Sequence, residues 1–336
     1  MVSPTSHDVA KKAGVSVATV SRVLNDSPLV TEAARRKVLR AVKALNYQPN
    51  RAAQRLRAGR SYIIGLIISD IQNPFFTSVV RGIEDVAYQH GYSLVLCNSD
   101  EDPEKEKLYV NVMRLEEVAG VILASASEAD PQVDDLITYK IPVVAIDRQM
   151  GERQVDSVLA ANTEGAHRAV SHLIELGHQC IGFIGLPLTL TPGKERYEGY
   201  RRALRDHQVP VLEDWVRIAD AKQQGGHDSA RALLKDQPGI TAFFVSNNLM
   251  TLGALDAIRE QGLKIQDDIS IIGFDDMPWA SLLQPPLTVI AQPTYDLGRC
   301  AAELLLGRLE DPHKPVVHTR LATTLVERGS TRRWSG

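Results

Sequence analysis

From residue 61 onward, short runs that are apolar at nearly every position alternate with longer stretches that are apolar on one side only. Residues 63–69, 92–98, 120–124 and 143–146 read as buried strands, and residues 75–90, 103–116 and 131–139 as the helices between them. The cycle then restarts. Helix 163–176 leads to strand 180–184, helices 193–207 and 226–236, strand 242–246, helix 249–261 and strand 269–274. An apolar run without a period of two is a strand covered on both faces, and parallel neighbours need a helical crossover. Two such runs predict an α/β body of two doubly wound parallel-sheet lobes. A ligand of that architecture lies outside the carboxyl ends of the strands, in the cleft between lobes.

That rule selects residues by position alone. Polar or aromatic side chains just past strand ends are Asp70, Gln72, Asn73, Phe75 and Phe76, then Ser125, Asp147 and Arg148, and Asn247, Asn248, Asp275 and Asp276. Arg196, early in the helix after residue 184, joins them. Asp and Arg facing each other with Asn can bind vicinal hydroxyls, and a Phe covers an apolar sugar or base face. Taken singly, Asp147, Asp275 or Asn247 also suits a turn cap.

The first sixty residues are a different object. Residues 5–25 spell two short helices about a Gly14-Val15-Ser16 turn, with Ser6 and Ser16 expected as caps and Gly14 as a left-handed stop. In the second helix Val20, Val23 and Leu24 share one face, while Ala18, Ser21, Arg22 and Asn25 point away and Val17 lies on the flank. Small residues around one Arg leave room for a base edge and supply a donor to it. A third helix, capped by Thr31, is expected to bury Val38, Leu39, Val42 and Leu45 and to expose Arg35, Arg36, Lys37, Arg40 and Lys43. Residues 1–60 hold 12 Lys and Arg against 3 Asp and Glu, a net of +9; the whole chain is −3, so residues 61–336 carry −12. A basic head on an acidic body is the footprint of a nucleic-acid reader.

Residues 49–59 join the two parts. Asn50 suits a cap and Gly59 a stop, but eight helix formers between them are too few to stay helical alone. Leu56, a large apolar side chain among Arg51, Arg55 and Arg57, fits a wedge between base steps in a minor groove, with the arginines on phosphates. A flexible linker is the plainer alternative.

Other classes are set aside on composition. No apolar run approaches the roughly 20 residues that span a bilayer, and the N-terminus lacks an apolar stretch before a cleavage site. Cys97, Cys180 and Cys300 form no CxxC pair, and the nine histidines show no HExxH or similar spacing, so neither metal nor cofactor is expected. No nucleophile–base pair or Gly-rich phosphate loop marks an enzyme. A reduced cytoplasm, on the nucleoid, is the expected setting.

From about residue 5 to about residue 328 the chain resembles bacterial transcription regulators of the lactose-repressor (LacI/GalR) family. The stretches that carry the resemblance are DVAKKAGVSVATVSRVLN, YQPNRAAQRLRAG, IGLIISDIQNPFFTSVVRGIEDVA, IPVVAIDR, HLIELGHQCIGFIG, RYEGYRRAL and ISIIGFDDMPWASLLQPPLTVI. It implies a homodimer on a pseudo-palindromic operator and a small effector, a carbohydrate rather than a nucleobase by the balance of polar over aromatic groups. A solute-binding sensor without DNA function is the reading from another class. The implied organisation is a helix-turn-helix head over residues 1–48, a hinge over 49–60 and an effector and dimerisation body over 61–336. Its first lobe covers about 61–160 plus 292–320, and its second about 162–290 plus 321–330. The DNA-facing candidates are Ser6, Ser16, Val17, Ala18, Thr19, Ser21, Arg22, Asn25 and Tyr47, with Asn50, Arg51, Ala53, Leu56 and Arg57 in the hinge. The effector candidates are Asp70, Asn73, Phe75, Phe76, Ser125, Asp147, Arg196, Ala221, Asn247 and Asp275. Ala221 stands where the family commonly has an aromatic, Pro192 where it often has Ser or Thr, and Ala161 where an Asp is frequent. No leucine heptad follows residue 330, so no tetramerising coil is expected.

Overall fold

The computed structural model describes residues 4–24, 27–47, 61–128 and 131–334. The chain divides into two units, residues 1–61 and 62–336.

In the first unit, α1 (Ser6–Ala13), α2 (Val17–Leu24) and α3 (Glu32–Ala44) bury Val9, Ala10, Ala13, Val20, Val23, Val38 and Ala41 in one small core. The cap of α1 is Thr5 and not Ser6. The Thr5 hydroxyl accepts from the Asp8 N–H and the Asp8 carboxylate takes the Thr5 N–H, a reciprocal box that leaves Ser6 as the first helical residue. Gly14 ends α1 at φ +66°, where a Cβ would be strained. Ser16 and Thr31 cap as expected, their hydroxyls accepting from Thr19 and Ala34. Leu39 corrects the sequence reading: it is 50% exposed, because the inward stripe of α3 runs through Val38 and Ala41.

The second unit carries two six-stranded sheets. The first, ordered β11-β5-β4-β3-β1-β2, pairs β1 (Ile63–Ile68) with β2 (Ser93–Asn98) and β3 (Gly120–Leu123), then continues through β4 (Val143–Ile146), β5 (Asp156–Ala160) and β11 (His318–Leu321), all parallel. The second, ordered β12-β10-β9-β8-β6-β7, holds β6 (Ile181–Gly185), β7 (Val216–Ile218), β8 (Ala242–Val245), β9 (Ser270–Phe274), β10 (Thr288–Ala291) and β12 (Thr324–Val326). Among the described residues only the β10–β12 pair of these sheets is antiparallel. Helices α4 (Pro74–Gln89), α5 (Pro103–Leu115), α6 (Gln132–Thr138) and α11 (Thr294–Glu310) flank the first sheet as lobe 1. Helices α7 (Asn162–Glu175), α8 (Thr191–Asp206), α9 (Gln223–Asp236) and α10 (Asn248–Glu260) flank the second as lobe 2. The chain crosses between lobes after β5, after β10 and after β11.

The apolar runs of the sequence are central strands with buried side chains: Ile64, Leu66, Ile122, Val144 and Ile146 in lobe 1, Phe243, Val245 and Ile271 in lobe 2. Residues 92–98 are the exception. They read as a buried strand, yet β2 is a sheet edge with Val95 and Leu96 exposed. Helix α11, absent from the sequence reading, closes lobe 1 against α4. The backbones meet so closely that a Cβ on Gly82 would lie 2.1 Å from the Tyr295 carbonyl, and one on Gly298 2.1 Å from that of Val79.

Candidate functional site

The carboxyl ends of the two sheets face each other across a cleft whose inner cavity measures about 30 Å³. Asp70, Asn73, Phe75, Phe76, Asp147, Arg196, Ala221, Asn247 and Asp275 all line it. Each is placed by a strand end or a helix start. Asn73 caps α4 through the Phe75 N–H, and its Oδ1 also accepts from Asn248 Nδ2 of lobe 2 at 2.8 Å. Asn247 caps α10 through the Met250 N–H. The Phe75 and Phe76 rings meet edge to face, 4.9 Å between centroids.

Asp147 and Asp275 follow β4 and β9 at equivalent points of the two lobes, with φ of +67° and +79°. Asp tolerates that left-handed geometry better than most residues, and the strain sits where a ligand must be met. Burial pushes both carboxyls above the ordinary range, opposed by the guanidinium of Arg196 for Asp275 and by Arg148 and Arg196 for Asp147. Arg196 is itself buried, which depresses its pKa. Its Nε donates to Asn162 Oδ1 at 2.9 Å, its Nη1 to the Ser246 carbonyl at 2.6 Å, and its guanidinium lies 3.7 Å over the Phe274 ring centroid.

Ser125 is the effector candidate that does not reach the cavity. Its hydroxyl donates to Glu106 Oε1 at 2.5 Å and to the Ser127 carbonyl, behind the wall. In its place Arg148, Glu101 and Gln292 line the site. Arg148 donates to both Glu101 oxygens, at 2.7 and 2.6 Å, to the Ser125 carbonyl and to Ser69 Oγ. Burial works against ionisation of Glu101, but those bonds and the charge of Arg148 hold its pKa low. Gln292 donates to Asp275 Oδ1 at 2.5 Å. Among the described residues Gln292 Oε1 in the lining and Asn248 Oδ1 outside it are buried without a hydrogen-bond partner, and Arg148 Nε has only the Asp147 carboxylate, 3.5 Å away. Such groups are rare in folded proteins, and Gln292 Oε1 leaves an open acceptor at the cavity wall. Arg148 was already a strand-end residue; Gln292 follows β10, a strand the apolar pattern did not reveal.

Outside this cavity lies a vestibule of about 560 Å³ that includes Asp70, Lys222, His227, Asp256 and Glu260. Although sequence spacing gives no metal motif, the packing of α9 on α10 brings ligand atoms of His227, Asp256 and Glu260 within 4.8 Å of one another. His227 is held between Asp228 and Glu260 at 3.1 and 2.9 Å.

In the head, Ser16 is exposed at the cap of α2 and Ala18 and Arg22 are exposed on it, while Val17, Thr19 and Ser21 are half-buried. Ser6 is half-buried on α1, and Tyr47 packs against the head core. Asn25 and the hinge candidates Asn50, Arg51, Ala53, Leu56 and Arg57 lie outside the described residues.

A three-helix basic unit followed by two parallel-sheet lobes around a polar cleft defines a DNA-binding regulator with a ligand-binding body. The chain belongs to the lacI family of bacterial regulatory proteins. That family's model matches residues 5–50, and a model of the periplasmic binding protein-like domain matches residues 170–331. The ribose operon repressor of Halalkalibacterium halodurans is 40% identical over 328 residues, covering 98% of this chain and 97% of that protein. A PurR-type transcriptional repressor of Mannheimia succiniciproducens is 35% identical over 91% of this chain and 92% of its own. Among solved structures, the Lac repressor dimer bound to operator and an anti-inducer superposes with a TM-score of 0.87 at 31% identity, over 98% of this chain and all of that one. A family member from Enterococcus faecium with bound ribose gives 0.73 at 32% identity, over 81% of this chain and all of its own.

Proposed function

We propose that this protein is a homodimeric repressor of a carbohydrate-utilisation operon, released from its operator by a small neutral sugar of the pentose class, with D-ribose the first candidate. The observation that carries the reading is the charge of the cleft. Glu101 is paired with Arg148 and Asp70 with Lys222, which leaves Asp147 and Asp275 beside Arg196, so an anionic ligand finds no cation in the cleft without a carboxylate neighbour, in a region of low dielectric. A neutral polyol instead offers hydroxyls that donate to Asp147 and Asp275 and accept from Arg196 and Asn247. At about 30 Å³ the cavity as it stands has room for no more than a few waters, so the lobes must part to admit a sugar. The relatives named for ribose operons, and the neighbour holding ribose, point the same way.

In this reading Val17, Ala18 and Arg22 meet base edges in the major groove, two heads take two half-sites, and paired hinges enter the central minor groove. Lobe 1 supplies a surface for the second copy. Leu108, Val112 and Leu115 form an exposed stripe on α5, and Val95 and Leu96 lie on the open edge of β2. An apolar edge strand left bare invites pairing. We read the cleft as binding without turnover, with Glu101 tied to Arg148 and one oxygen of Asp275 to Gln292, and we expect it to use neither metal nor cofactor. The setting we propose is the cytoplasm, on the nucleoid; no described helix is long and apolar enough to cross a membrane.

The test is calorimetry with a panel of pentoses, hexoses, sugar phosphates and purine bases, followed by recovery of the ligand. The reading expects a neutral pentose to bind and return unchanged. Preference for a phosphate ester or a purine base overturns the effector class, and product formation overturns the non-catalytic role.

A further inference from the structure

Lys222 stands at the N-cap of α9 and makes no capping bond there. A lysine at that position offers no acceptor to the free N–H groups and puts a cation at the positive end of the helix. Asn73, Asp102 and Asn247 do cap their helices with side-chain oxygens. Pro131, Ala161, Leu190 and Pro293 also start helices without a side-chain capping bond, but of these five positions Lys222 alone carries a charge, and its partners lie across the cleft. Lys222 Nζ, from lobe 2, is 2.7 Å from Asp70 Oδ2 and 3.1 Å from Asp100 Oδ1, both from lobe 1. Although burial opposes its charge, these two carboxylates hold the ammonium ionised.

The position of the pair matters as much as its charge. Asp70 lines both the inner cavity and the outer vestibule, whereas Lys222 lines only the vestibule. The ion pair is the partition between them. Beside it Ala221 is too small to cover a ligand, so this wall has no aromatic cover of its own.

We infer that Lys222 is an ionic latch on the mouth of the cleft: its bridge to Asp70 and Asp100 holds the lobes over a bound effector and breaks for the effector to come and go. This rests on the reading of the cleft as a sugar site. A neutral sugar carries no charge to be screened, so salt acts on its affinity through the latch. The Lys222 side chain is 37% exposed and open to that screening.

Lys222→Ser tests the inference without sacrificing the fold, since serine supplies the missing cap while severing the bridge. The variant should keep or raise the wild-type Tm. In titrations with D-ribose at about 0.05 and about 0.5 M salt, where screening of an exposed pair differs strongly, wild-type affinity should fall several-fold as salt rises. The variant should bind about fivefold to tenfold more weakly at low salt, a coupling of the usual size, and show no salt dependence. Equal affinities and equal salt slopes in the two proteins overturn the latch. If wild type binds no D-ribose, it is the effector reading that fails, and the latch is then decided by hydrogen exchange without ligand. Segments 70–76 and 246–249, joined across the cleft by the Asn73–Asn248 hydrogen bond, should exchange faster in the variant at low salt. Unchanged rates overturn the latch.

Discussion

At the scale of single residues, the cleft is built against local stability. Asp147 and Asp275 each combine a left-handed backbone with a buried carboxyl whose pKa is raised. A carboxyl with a raised folded pKa binds protons more tightly in the native state, so it costs stability as pH climbs from about 4 through that pKa. Asp275→Asn removes one such cost and keeps an oxygen for Gln292. Its Tm should therefore exceed wild type by a margin that widens from pH 4.5 to pH 7.5, while D-ribose no longer stabilises it; a margin independent of pH contradicts the account. Arg196→Ala should bind operator normally and ignore D-ribose, as anisotropy with labelled operator would show. A normal sugar response would remove Arg196 from the pocket. In the head, Arg22→Ala should lose about 1–3 kcal/mol of discrimination at one base pair in each half-site while nonspecific binding persists. Unchanged specific binding would dismiss Arg22 as a base reader.

Among the elements, legibility followed burial. Central strands such as Val143–Ile146 announce themselves because both faces are covered and every position is apolar. The strands that escaped are short or half-exposed: Val216–Ile218, His318–Leu321 and Thr324–Val326 exist because a neighbour offers a ladder, and their own residues show no period. Asp156–Ala160 begins with a charge that becomes legible only when Arg308 of α11 folds over it, at 2.8 Å. Gln292 follows Thr288–Ala291, which is mostly apolar and buried but only four residues long and set directly after Pro285-Pro286-Leu287, too short a run to stand out. Ser125 shows the converse limit, since its position past β3 was right but its hydroxyl turned to Glu106, a buried acid that helical periodicity did not single out. The α5 stripe carries a prediction at this scale. Leu108→Glu with Leu115→Glu leaves the buried side of α5, Val110 and Met113, untouched. The doubly substituted chain should stay folded yet sediment as a monomer and lose most of its operator affinity. A dimer of wild-type stability would move the interface elsewhere.

Across the whole molecule, the division of charge assigns the work. The head's +9 is expected to bind phosphates, so that affinity falls steeply with salt, and the body's −12 to repel the duplex and confine contact to the head. The effector acts at the other end of the chain, and it can shift operator binding only through its different affinity for the two arrangements of the lobes. The most direct measurement is anisotropy of the full-length protein on a symmetric sequence from its own promoter region and on a scrambled duplex, from about 50 to about 200 mM salt, with and without D-ribose. The account predicts a preference for the symmetric site of about a thousandfold or more, abolished by the sugar, over a nonspecific background that salt removes. No preference for the symmetric site at any salt, or a preference that the sugar leaves untouched, would contradict it.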